Sequence, residues 1–172
     1  MKYFEIQNSP ELIHAPQLKN WYGKFDVRDI CIDRFPKLPD MQLFTIESSE
    51  KTMFTDLVLF PFLFVSPMVQ DVIKMYWECC FFRKIILLDQ EKQESRLYYL
   101  PVLDETSQIR LESGRGKEGL CVDRNLFWVR DTKKRHIIMS MDMAESLIRR
   151  EVTGLGLCEV TLWDKEGKEK ES

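Results

Sequence analysis

Two well-separated segments of this chain follow one plan, and no other feature constrains the fold as much. Residues 62–89 read FLFVSPMVQDVIKMYWECCFFRKIILLD, and residues 136–164 read HIIMSMDMAESLIRREVTGLGLCEVTLWD. Each begins as a short apolar strand and meets a serine at a helix entrance. Roughly three helical turns follow, then a second strand rich in β-branched residues or leucine. In the first segment Ser66 is the expected N-cap, with Pro67 at the first helical position, where its missing N–H costs nothing. Val69, Val72, Ile73, Tyr76 and Trp77 recur at helical spacing as the buried stripe. In the second, Ser140 marks the entrance, while Asp142 and Glu145 have the spacing of a capping box. Ala144, Leu147, Ile148 and Val152 would form its apolar stripe, Arg149 and Arg150 suit the negative end of the helix dipole, and Gly154 is the natural residue to close it.

The remaining punctuation fits strands around these two units. Tyr3–Gln7 and Met41–Ile46 read as strands. Residues 56–65 form a nearly continuous apolar run interrupted by Pro61, which lacks a ladder donor, so two short strands or a bend are expected. Residues 89–94, DQEKQE, are a charged turn between two strands that should pair as an antiparallel hairpin. Residues 131–135, DTKKR, are a second such turn. Further strands are expected at 108–112, 125–130 and 157–163. Residues 8–39 carry four prolines and mixed signals, with a short helix expected near 18–22. The prediction is one α+β domain spanning residues 1–163, with a mixed, mostly antiparallel sheet and two principal helices. Residues 164–172, DKEGKEKES, have nothing apolar to bury and are expected to be disordered.

Composition excludes several classes. With 172 residues, 44% of them hydrophobic and 11 of them phenylalanine, the chain has material for a single core. The net charge of −3 arises from 25 basic and 28 acidic residues, a balance that disfavours a generic nucleic-acid binder. Five cysteines, an odd number with Cys79 and Cys80 adjacent, point to buried, reduced thiols in a reducing compartment. The first residues lack the continuous apolar region of a signal peptide, and the longest apolar run, 57–65, is far shorter than the ~20 residues of a membrane span. A soluble cytoplasmic protein is expected, with no membrane partner.

Chemistry-bearing motifs are few. Gly114, Gly116 and Gly119 satisfy GxGxxG, but a strand-like stretch follows where a dinucleotide site needs a helix, so a plain loop is expected and no cofactor. His14 and His136 are the two histidines, and no cysteine pair has metal-site spacing. Ser66 and Ser140 are explained as helix-entrance residues, and neither lies in a nucleophile elbow. The basic cluster Lys133, Lys134 and Arg135, beside His136, is either a solvated turn or a contact for an acidic partner or a phosphate. Rigid strands would present both charged turns, which makes Asp89, Glu91, Glu94, Lys133, Lys134 and Arg135 the candidate partner contacts.

The helix entrance VSPMVQDVI, the strands KIILLD and RLYYLP around a charged turn, the late helix IIMSMDMAESLIRREVTGLGL and the closing strand together resemble immunity proteins of bacterial polymorphic toxin systems. More narrowly, they resemble the family of myxobacterial-type immunity domains. The likeness runs from about residue 54 to 163. It implies a protein that binds a cognate toxin domain and blocks it without chemistry of its own, and it brings no catalytic residues. Two other readings stay open: a small cytosolic enzyme whose site the sequence does not reveal, and a phosphate- or nucleic-acid-binding module.

Overall fold

Serine caps organise the structure, a computed structural model that describes residues 1–9, 14–114 and 119–165. Ser66 and Ser140 both have extended backbone, and each accepts a 3.4 Å bond from the N–H three residues on, that of Val69 and of Met143 respectively. They open α1 (Pro67–Tyr76) and α2 (Met141–Ile148). The strands are β1 (Tyr3–Gln7), β2 (Leu18–Lys19), β3 (Met41–Ile46), β4 (Leu57–Val58), β5 (Phe64–Val65), β6 (Phe81–Asp89), β7 (Glu94–Val102), β8 (Glu105–Thr106), β9 (Ile109–Ser113), β10 (Leu126–Arg130), β11 (Arg135–Ser140) and β12 (Gly156–Asp164). The α+β class holds, but the strands form two mixed six-stranded sheets rather than one. Their orders are β8-β10-β11-β1-β12-β9 and β2-β3-β6-β7-β5-β4.

The twin segments fall one in each sheet and share a topology. β4 and β5, like β10 and β11, pair antiparallel as a hairpin that leads through the serine into the helix. The strand after each helix lies two places along its sheet, so one antiparallel strand separates the pair: β7 between β5 and β6, β1 between β11 and β12. Even the serine amides match, donating to the carbonyls of Asp56 and Asn125, each the residue just before its hairpin.

α1 lies on the β7 sheet and α2 on the β1 sheet, and the two helices pack together. Tyr76 Oη seals their contact, 2.9 Å from the Asp142 carbonyl and 2.8 Å from Ser146 Oγ. The central core joins Val69, Val72 and Ile73 of α1 with Met143, Ala144 and Leu147 of α2, and with Ile6, Ile137 and Met139 of the β1 sheet. A second core, rich in phenylalanine, backs the other sheet with Phe44, Phe62, Phe64 and Leu87, closed over by Leu18, Phe25, Ile30 and Leu38. A third gathers Tyr3, Phe127, Ile138 and Leu162.

Several expectations need correction. Asp142 does not cap α2: β11 enters the helix with no intervening loop, so its last residue, Ser140, must serve. Glu145 pairs forward with Arg149 at 3.3 Å instead of reaching back. The helix is two turns rather than three; Met143 is in its buried stripe, and Ile148 is exposed. Glu151, at φ 54, takes the left-handed turn after it. Gly154, at φ +81, serves another purpose, since a Cβ there would lie 2.7 Å from the Leu57 carbonyl oxygen. No helix forms at 18–22, because Leu18 and Lys19 pair with Ile46 and Thr45 along the edge of β3 and Asn20 then turns at φ 49. Pro61 does divide its run into β4 and β5, and the Phe60–Pro61 bond is cis. All five thiols are free, yet only Cys80 is buried; Cys79, in the turn after α1, and Cys121, outside the strands and helices, are exposed. Asp164 ends β12, paired with Ile109, and is not part of a disordered tail. Residues 166–172 of the expected tail and 115–118 of the glycine loop, Gly116 included, lie outside the described residues. Among the described residues no helix is long and apolar enough to cross a membrane.

Candidate binding site

The two charged turns are built by the same device and put to different uses. In each, an aspartate at the start of the turn accepts from the backbone N–H groups two and three residues on, which fixes the reversal. Asp89 Oδ1 is 3.1 Å from the nitrogens of both Glu91 and Lys92, and Ser48 Oγ donates to its other oxygen at 3.0 Å. Its residue is 1% exposed. Burial pushes the Asp89 carboxyl up, but these three bonds outweigh it and leave it below the ordinary carboxylate range. Asp89 is therefore a turn clamp and not a surface contact. Glu91 and Glu94 are exposed.

The β10–β11 turn lies in a richer setting. Asp131 Oδ1 accepts from the nitrogens of Lys133 at 2.6 Å and Lys134 at 2.8 Å. Its other oxygen is 2.9 Å from His136 Nε2, while His136 Nδ1 is 2.7 Å from Glu5 Oε1. The backbone donor of Lys134 and then His136 hold Asp131 well below the usual range. Glu5 is raised by burial, yet bonds from His136 and Gln7 and nearby charges bring it below its ordinary value. The two carboxylates sit on opposite nitrogens of the ring, an arrangement that orients the imidazole and anchors the turn. Among the described residues no three His, Cys, Asp or Glu side chains gather as a metal-ligand set.

Beyond the clamp, Lys134 and Arg135 face a cavity of about 470 Å³ between the two sheets, and none of residues 89–94 lines it. Lys134 Nζ is 3.4 Å from Glu5 and its side chain is 61% exposed. Arg135 lies over the Trp128 ring at 4.6 Å from its centroid, with Nε 2.6 Å from Glu105. That approach lacks the alignment of a hydrogen bond, so the pair is held by charge. Arg130 shares the same glutamate at 2.9 Å. The facing wall is apolar, formed by Leu59, Pro61 and Phe62 of the β4–β5 loop with Ile30.

An aromatic ledge continues outward from Phe60 and Phe62 of this cavity. Trp21 packs edge-on against Tyr22, Phe60 and Phe62 at 6.0, 5.8 and 5.8 Å. Tyr22 is 90% exposed and Phe60 69%, each with one edge in contact with the indole. Of the sequence candidates, then, the structure brings Lys134 and Arg135 to a concave site, leaves Lys133 exposed at its turn, and assigns Asp89 to the fold. Glu5, Glu105, Trp128, Tyr22 and Phe60 were missed. No local pattern marks them, because they come from five separate stretches that only tertiary packing unites. Neither a protein-family model nor a curated protein matches the chain.

Proposed function

We propose that this chain is a non-enzymatic binding protein that neutralises a cognate bacterial toxin in the cytoplasm by stoichiometric occlusion, and that it grips the toxin around the mouth of this cavity. The observation that carries the reading is the ledge of Tyr22 and Phe60, both exposed and both in edge-on contact with Trp21. Pre-ordered aromatics lose little entropy on docking and are enriched among the residues that dominate interface energies. The likeness of the twin segments to immunity proteins supports the same reading. A stable complex would bury about 1,200–2,000 Å² in all, an area that the ledge, the cavity mouth and the Lys133–Lys134 turn together could supply.

The test is a search of the neighbouring genes for a toxin domain, then co-expression with it and calorimetric titration of the purified pair. One equivalent should silence one equivalent of toxin without turnover. The Tyr22→Ala, Phe60→Ala double variant should fold normally and lose about tenfold or more in affinity, equivalent to ~1.4 kcal/mol. Protection by substoichiometric protein, with the toxin covalently altered, would make this an enzyme. Undiminished binding by the double variant would place the interface elsewhere.

A further inference from the structure

We propose that the cavity receives an acidic side chain projected by a loop of the partner protein, an assignment that rests on the binding role above and names the chemistry of that partner. The site is amphipathic in a specific way. One wall is apolar, from Leu59, Pro61 and Phe62, while Lys134 and Arg135 supply cationic groups across from it. At about 470 Å³ it falls among ordinary ligand pockets, roughly 300–1,000 Å³, with room for a few inserted side chains. The stem of a glutamate fits the first wall and its carboxylate fits the second.

Charge around the mouth points the same way. Within a chain of net charge −3, the charged residues lining the cavity are Lys134 and Arg135 against Glu5, and the adjoining residues 130–135 carry four basic and one acidic. Lys134 is also available to a newcomer. Its link to Glu5 is long, 3.4 Å, and Glu5 keeps His136 at 2.7 Å if the ammonium turns away. Arg135, 4.6 Å from the Trp128 ring centre and paired through Nε with Glu105, carries a guanidinium of the kind that recognises carboxylates.

A nucleic acid is a poorer occupant, because a phosphate backbone needs a broad basic face and this chain sets 25 basic residues against 28 acidic ones. A free small carboxylate would fill the cavity yet leave the Tyr22–Phe60 ledge uncovered, whereas a protein loop covers both.

Amide shifts of the isotope-labelled full chain, titrated with three probes, test this. The probes are a blocked glutamate–phenylalanine–glutamate peptide, its glutamine counterpart and a short oligoadenylate. The acidic peptide should move the Phe60, Lys134 and Arg135 resonances, and it should bind about tenfold more tightly than the glutamine peptide. Lys134→Gln should erase that preference without changing the melting temperature. Equal binding of both peptides, no binding, or stronger shifts from oligoadenylate would each overturn the assignment. Toxin protection with no response to the acidic peptide would sink this inference alone; peptide binding without toxin protection would sink the immunity reading and leave this one standing.

Discussion

Replacing His136 with phenylalanine removes the donor that two carboxylates share, while keeping an aromatic ring in β11. The residue is 9% exposed, with Glu5 2.7 Å from one ring nitrogen and Asp131 2.9 Å from the other. The ring donates to these carboxylates through whichever nitrogen carries a proton. The Glu5 side chain is only 12% exposed, so water is slow to replace the lost bond; a hydrogen bond to a charged group contributes about 1.5–3 kcal/mol. Asp131 is 45% exposed and keeps its two backbone donors, so its loss is small. The variant should therefore lose about 1.5–3 kcal/mol in urea melts at neutral pH, nearly all through Glu5. The pH dependence is a second readout. Both carboxyls lie below their ordinary values in the folded protein. Their contribution is present above the unfolded values, near ~4, and is lost as pH falls through the lower folded ones. Removing His136 weakens both shifts, so the variant's stability should decline less steeply below pH ~4. A variant within about 0.5 kcal/mol of the parent, with a superimposable acid limb, would show that the clamp does not hold this hairpin.

Two further outcomes are expected. Ser140→Ala should cost about 0.5–2 kcal/mol through the lost cap, with Ser66→Ala similar, while Asp142→Ala should cost less than about 0.5 in the same melts; equal losses at 140 and 142 would return the cap to Asp142. Brief alkylation of the native protein should label exposed Cys79 and Cys121 and spare Cys80, whose thiol is pushed up to about 12 by burial; mass spectrometry showing Cys80 labelled as fast as Cys79 would refute its enclosure.

What could be read in advance was what short-range chemistry controls. The serine and Pro67 opened α1 where a cap and a fixed φ require, and Pro61 divided its run because it lacks a donor. Both charged turns became hairpins. The errors came where tertiary structure chose between two acceptable local solutions. Asp142 and Ser140 are both good caps, and the direct join of β11 to α2 selected the serine. Residues 18–22 could bend into a turn of helix, but the open edge of β3 offered Leu18 and Lys19 ladder partners. Charge alone could not separate Asp89 from Lys134, since only the fold reveals that one clamps a turn beneath Ser48 and the other faces a cavity. The ledge was invisible for the same reason: Tyr22 and Phe60 are ordinary aromatics until Trp21 joins them.

The cavity itself follows from the lengths of the elements. β11 and β12 run in the same direction, because each is antiparallel to β1, so the chain must travel back over the sheet between Ser140 and Gly156. α2 makes that return with eight residues, about 12 Å of rise, against about 20 Å for the six residues of β11. The helix therefore leaves the far end of the strand uncovered. That end is where Lys134, Arg135 and Gln7 lie, since the register of β1 against β11 sets Glu5 opposite Ile138. The helices fill the middle of the gap between the sheets, and the β4–β5 loop with residues 21–30 closes over what remains. The short α2 crossover thus leaves a hollow at the β10–β11 hairpin end, lined by whatever side chains the strand tips carry. Here those tips carry a lysine and an arginine held in place by Glu5, Glu105 and the Trp128 ring.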